Sequence, residues 1–272
     1  MEAFFYFSKT KNLKFMESVQ CLNCEEITEG NFCSNCGQKT AIHRITLKHF
    51  LFHDVIHGVW HLDKGILFTL RQALVRPGRA ALDYIGGKRV RYYNVFYLIL
   101  LLIGLGIFIE SIYAASLAKY VTYHTEDIIE KDSEIKKKSI EFFAKYAKFF
   151  LISAIPAYAF NSFILFNKRK LLYSEHLILF GMLFLGVIII TLIGNILFFA
   201  GFIKSISFLA DWSNTIVPIL LFPYIINGLF SAFGKDYTRI SFTIRAFIYF
   251  FLIIAEVRVV GEVVKFYLRH SS

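Results

Sequence analysis

Outside a window of sixteen residues this chain of 272 has no cysteine, because all four lie between Cys21 and Cys36. No disulfide framework can therefore staple the rest, and the clustering favours a shared metal ion over oxidation. Proline is scarce, with four residues, and charged residues make up only 18% of the chain. So little charge cannot cover the surface of a water-soluble protein of this size. No G-x-S-x-G, P-loop, G-x-G-x-x-G or paired-carboxylate pattern occurs, so no familiar catalytic centre can be assigned. The first residues, MEAFFYFSKTKNLKFMES, lack a long apolar core and a small-residue cleavage site. That argues against a secretory signal and leads us to expect a cytoplasmic N-terminus.

What is present is apolar. Hydrophobic residues reach 56%, phenylalanine alone contributes 31, and mean hydropathy is +0.55. Long apolar runs imply membrane spans of roughly 20 residues each. Five are expected, near 95–117, 147–166, 177–200, 212–233 and 242–264. Pro156, Pro218 and Pro223 fall inside spans, where they should kink the helices rather than end them. Gly104, Gly106, Gly181 and Gly186 should permit close helix contacts. Basic residues at Lys88, Arg89 and Arg91 and the run Asn167-Lys168-Arg169-Lys170 should face the cytoplasm. The formal charge of +10 fits cytoplasmic loops and anionic headgroups better than nucleic acid, which is not an expected partner.

The fold expected is thus mainly α: a polytopic helical membrane domain over 94–272, a small N-terminal zinc ribbon over 19–40, and interfacial amphipathic helices over 41–93. Residues 1–18 form an extension, and Met16 is an alternative start. The stretch ITLKHFLFHDVIHGVWHL carries Leu47, Leu51, Val55 and Val59 at helical spacing, as in a helix lying on a membrane surface.

Two Cys-x-x-Cys knuckles, Cys21/Cys24 and Cys33/Cys36, are separated by eight residues. Four thiolates suit a closed tetrahedral Zn²⁺ site, with no position left open for substrate. Zinc is the expected cofactor, and its role is structural; iron and a redox dithiol pair are the rival readings. Gly30 and Gly37 stand where the backbone must turn around the sulfurs.

His49, His53, His57 and His61 recur every four residues and form one helical stripe, beside Asp54 and Asp63. The stripe is either a polar margin on an interfacial helix or a second metal site. Within the spans, Glu110, Glu256 and Arg258 are the ionisable residues that invite a function, because such groups are costly in hydrocarbon. Glu256 and Arg258 lie two positions apart, on opposite helix faces, and should not pair with each other. The plainer reading is hydrogen bonding between helices, shared with Asn161, Asn195 and Asn227.

The residues CLNC…GNFCSNCGQK, then LDKGILFTLRQALVRPGRAALDYIGGKRVRYYNVF, resemble the DUF3667 family of uncharacterised membrane proteins. The resemblance covers residues 21 to about 96 and rests on the two knuckles, Asp63-Lys64-Gly65, Thr69-Leu70, Arg76-Pro77-Gly78, Tyr84-Ile85 and Gly87-Lys88-Arg89. Val95 stands where the family pattern usually has proline. The resemblance implies a zinc ribbon joined to a membrane domain and a Bacteroidetes inner-membrane location, and it implies no activity.

Three functions follow as expectations. The first is an adaptor, scaffold or accessory subunit in the inner membrane, with the lipid bilayer and a membrane protein or a second copy as partners. The second is a small transporter or channel built around Glu256 and the asparagines. The third is an interfacial enzyme using the histidine stripe.

Overall fold

The structure, a computed structural model of the chain, describes residues 18–42, 46, 65–122 and 153–270. Two short strands, β1 (Val19–Gln20) and β2 (Ile27–Thr28), pair antiparallel with Val19 opposite Thr28. Among the described residues the other regular structure is helical: α1 (Gly65–Val75), α2 (Pro77–Ile85), α3 (Val95–Thr122), α4 (Ser153–Leu165), α5 (Tyr173–Leu197), α6 (Phe208–Phe233) and α7 (Arg239–His270), with short 3-10 turns at Phe198–Phe202 and Lys204–Ile206 between α5 and α6.

Among the described residues, three segments are long and apolar enough to cross a membrane: Val95–Ser116, Tyr173–Phe202 and Lys204–Phe233. They match the first, third and fourth expected spans. The second expected span begins outside the described residues, and its described part, α4, has the length of a short apolar helix. The fifth coincides with α7, in which Arg245, Glu256, Arg258 and Glu262 interrupt the apolar sequence. α6 runs unbroken through Pro218 and Pro223, so proline does not end it.

Local sequence sets the boundaries. Pro77 occupies the first turn of α2, where its missing N–H costs nothing, and it ends α1. At the start of α5 the Glu175 carboxylate accepts the Leu172 backbone N–H at 2.8 Å, satisfying a donor that the first helical turn leaves free.

α5 is the hub and packs against α1, α2, α3 and α6. It is buried without interruption from Ser174 to Gly186. α3 and α5 run in the same direction: the Phe96 ring lies against Gly181, and Tyr113 packs on Phe198, Phe199 and Phe202. α6 runs opposite to α5, with Gly194 meeting Val217 and Gly228 meeting Leu183. Gly181 and Gly186 thus serve close contacts as expected, whereas a side chain at Gly104 would meet open space.

The connections before α3, before α5 and before α7 therefore gather at one end of the bundle. There Arg169 pairs with Asp236, and the Lys168 backbone N–H donates to the Tyr237 hydroxyl at 3.1 Å.

α1 and α2 form a helical hairpin wedged between α5 and α6. Its open end is tied down by Thr69, whose hydroxyl accepts the Tyr93 N–H at 2.8 Å. Further in, the Tyr224 hydroxyl lies 2.6 Å from the Ala73 carbonyl and 3.2 Å from that of Leu183. Gly78 sits directly on the Gly228 carbonyl and the Ser231 hydroxyl. The apex of the hairpin thus lies beside Leu183 and Gly186, ten to thirteen residues into α5.

Candidate metal centre and its docking loop

Each knuckle is a small hairpin built to one plan. In the first, the Cys21 N–H donates to Glu26 O and the Glu25 N–H returns to Cys21 O, both at 2.8 Å. In the second, the Cys33 N–H donates to Gln38 O at 2.7 Å and the Gly37 N–H to Cys33 O at 2.8 Å. Phe32 bridges Lys39 in the second much as β1 pairs β2 in the first. The residue after each second cysteine must take a left-handed conformation: Glu25 has φ 66° and Gly37 φ 74°. Glycine adopts it freely, and glutamate does so at a cost.

This plan brings all four sulfurs within 4.8 Å of one another. Cys21 and Cys36 Sγ are 3.6 Å apart, and Cys24 and Cys33 Sγ are 3.5 Å apart. Four sulfurs at about 2.3 Å from a common centre stand about 3.8 Å apart in a tetrahedron, so the cluster fits one metal ion.

Without a cation the cluster ionises unevenly. Burial opposes loss of the Cys36 proton. It is outweighed by hydrogen bonds from Asn23, the Gln38 backbone, Cys24 and Cys21, and the thiol is lowered to about 6. The Glu26 backbone favours a Cys24 thiolate, but burial and the thiols of Cys33, Cys36 and Cys21 prevail, and Cys24 is raised to about 12. A bound metal ion would supply the positive charge that lets all four ionise together.

The ribbon is not free of the membrane domain. It is clamped to the loop between α2 and α3. Gln38, buried, donates its side-chain N–H to Gly87 O at 2.6 Å, and its side-chain oxygen accepts the backbone N–H of Arg89 (3.1 Å) and of Val90 (3.3 Å). Asn23, also buried, takes the Arg91 guanidinium on its side-chain oxygen at 3.0 Å and on its backbone carbonyl. Leu22 and Ile42 close over Gly87, whose φ of 109° and lack of a Cβ let the ribbon approach.

Behind this loop, Asp83 gathers Lys88 at 3.4 Å and Arg76 at 3.9 Å. It also accepts the Tyr92 hydroxyl at 3.5 Å. Burial, with the Asp83 charge next, pushes the Tyr92 phenol up to about 12, so it remains a donor throughout the physiological range.

The other residues singled out from sequence fall elsewhere. His49, His53, Asp54, His57, His61 and Asp63 lie outside the described residues. Glu110 lines an apolar groove of about 160 Å³ between α3 and α5, together with Thr191 and Asn195. Glu256 accepts a hydrogen bond from Asn161 at 2.8 Å, linking α7 to α4. It forms no ion pair with Arg258, which is exposed. Arg245 turns away to the Leu165 carbonyl at 2.6 Å and the face of Tyr237.

Sequence reasoning missed Asn23, Gln38 and Arg91. The nearest signal was the basic loop itself, whose charge reads from sequence only as a flank of the first span. It also missed a fully buried pair, Ser162 Oγ and His176 Nδ1 at 2.8 Å, enclosed by Phe163 and Phe233. Neither side chain is exposed, and the other ring nitrogen of His176 has no hydrogen-bond partner among the described residues.

No curated protein and no solved structure matches the chain. Residues 63–105, which hold the hairpin, the docking loop and the start of α3, match the model of the family described as Protein of unknown function (DUF3667), which supports the resemblance read from the sequence.

Proposed function

We propose that this protein is a five-span inner-membrane adaptor or scaffold whose cytoplasmic zinc ribbon, fixed to the membrane domain on one face, offers its other face to a membrane-protein partner. The observation that carries this reading is the asymmetry of the ribbon. Its docked face is polar and buried at Asn23 and Gln38, while Ile27 and Phe32 stand 71% and 62% exposed. Apolar side chains held out on a rigid platform suit recognition of another protein. A four-thiolate donor set suits zinc in a closed structural site, which leaves no open position for catalysis.

The charge of the loops supports a cytoplasmic ribbon. The end of the bundle that carries it bears Lys88, Arg89, Arg91, Lys168, Arg169, Lys170 and Lys235, whereas the described connection at the other end, 198–207, bears only Lys204. For Glu256 we favour a hydrogen-bonding role between helices over transport, because Asn161 already engages it.

The reading is tested by placing a photo-crosslinking amino acid at Ile27 and at Phe32 in cells. The expected result is a discrete adduct with a membrane protein, lost when Cys33→Ser and Cys36→Ser remove two ligands. An adduct with a second copy of the chain would identify a homo-oligomeric scaffold. No adduct from either position, or one indifferent to the cysteines, would overturn the proposal.

A further inference from the structure

We propose that the outward face of the α1–α2 hairpin is a binding site for the phosphate of an anionic phospholipid, held by Arg71 and Arg79. On α1, Leu67, Arg71 and Val75 recur every four residues and so share one face. All three are exposed, Leu67 and Val75 strongly. The inward face, Thr69, Gln72 and Ala73, is buried against the bundle. On α2 the buried positions are Pro77, Gly78, Ala80 and Ala81, and Arg79 between them points outward.

The cations of this region divide into two kinds. Arg76 bonds to Gln72 and pairs with Asp83, Lys88 pairs with Asp83, and Arg91 is held by Asn23. Arg71 and Arg79 have no hydrogen bond or ion pair among the described residues.

Position supplies the remaining argument. The hairpin lies along the spans, and its apex packs beside Leu183 and Gly186 on α5. At 1.5 Å per residue that is about 15–20 Å from the start of α5. Arg71 and Arg79 stand short of that apex, on the side of the hairpin's open end, so a guanidinium flanked there by exposed leucine and valine borders lipid within reach of the headgroup level. Leaving it uncompensated there is costly. Phosphate oxygens match its planar donors in a bidentate manner, and the acyl chains below the same headgroup would cover Val75, which lies nearer the apex. The paired demand for an anion and for hydrocarbon points to a phospholipid and not to free phosphate.

The test uses the full chain in nanodiscs of phosphatidylcholine alone, of phosphatidylcholine with phosphatidylglycerol, and of phosphatidylcholine with inorganic phosphate in the buffer. Thermal unfolding and the phosphatidylglycerol retained after mild extraction are both measured. Wild-type protein should be stabilised by phosphatidylglycerol and not by inorganic phosphate. Arg71→Gln with Arg79→Gln should lower retention roughly tenfold for each charge-assisted hydrogen bond removed, with the midpoint in phosphatidylcholine unchanged. Lys235→Gln with Arg239→Gln, exposed cations at the same end of the bundle, should retain the lipid. Equal loss in the two double variants would reduce the effect to general charge attraction and overturn the site. So would stabilisation by inorganic phosphate alone, or no preference for phosphatidylglycerol in the wild type.

Discussion

In the ribbon the most deeply buried hydrophobic side chains are two of the clustered cysteines, Cys21 and Cys33, while Val19, Ile27 and Phe32 lie exposed. In the bundle the reverse holds. α5 is buried continuously through apolar residues from Leu177 to Gly186, and backbones approach where glycine leaves room, at Gly78 on Gly228 and at Gly186 under Tyr224. A metal ion held by these cysteines would therefore give the ribbon a bond set that can be removed without touching the helical bundle. The bundle depends on shape, because burial against lipid gives little driving force between helices and close contact must supply it. Between the two stands a small polar joint, Gln38 and Asn23 on the docking loop.

The largest effect should come from the metal. Cys33→Ser with Cys36→Ser, or a strong chelator, is expected to take metal content from one ion per chain to none. Loss of a structural zinc site removes about 10–16 kcal/mol of binding free energy from the ribbon. Ribbon amides should lose protection from hydrogen exchange, whereas those of α5 should keep theirs. The same loss should follow acidification. A bound metal ion would keep its cysteine ligands ionised in the folded state, so its contribution would be full above the pH at which the unfolded thiols ionise and would be lost as protons compete for the sulfurs at lower pH. Exchange that rose equally in α5 would dissolve the distinction between the two regions.

A substitution of the opposite kind comes next. Any side chain at Gly78 collides with the Gly228 carbonyl and the Ser231 hydroxyl. Gly78→Val should cost roughly 3 kcal/mol, at the upper end for overpacking, read as a lower unfolding midpoint in detergent with metal content unchanged. The joint itself is probed by Gln38→Ala, which leaves the Val90 amide without its side-chain acceptor and the Gly87 carbonyl and Arg89 amide with only their bond to each other. A cost of about 2 kcal/mol is expected, seen as faster exchange at residues 87–91 in a protein that still holds its metal. Metal loss in this variant would mean that ribbon and joint are one cooperative unit.

These contrasts also explain what could be read from the sequence. The cysteine cluster was legible because a Cys-x-x-Cys spacing fixes sulfur positions locally, whatever the rest of the chain does. Three spans were legible because lipid demands long apolar runs, and α7 was blurred by Arg245, Glu256 and Arg258. The joint was not legible. Gln38 and Asn23 look like ordinary loop residues, and their partners lie 49 to 68 positions away. Nor was the wedge of α1 and α2 between α5 and α6, since a Gly78–Gly228 contact leaves no trace in hydrophobic periodicity. The stretch whose Leu47, Leu51, Val55 and Val59 suggested a helix on the membrane surface lies outside the described residues.

The smallest expected effect separates the two knuckles. They share their hydrogen bonds and their left-handed residue, yet one has glycine at that place and the other has Glu25. The Cβ of an L-residue costs about 1–2 kcal/mol there, partly offset because glycine has more conformational entropy to lose on folding. Glu25→Gly should therefore stabilise the ribbon by up to about 1 kcal/mol, which slows metal release to a chelator by up to about fivefold if the gain is absent from the transition state. The paired change Gly37→Glu should speed release by a similar factor, since it creates in the second knuckle the strain already present in the first. If Glu25→Gly instead accelerated release, the Glu25 side chain would be contributing an interaction that outweighs its backbone strain. The resemblance of the two knuckles would then end at the backbone.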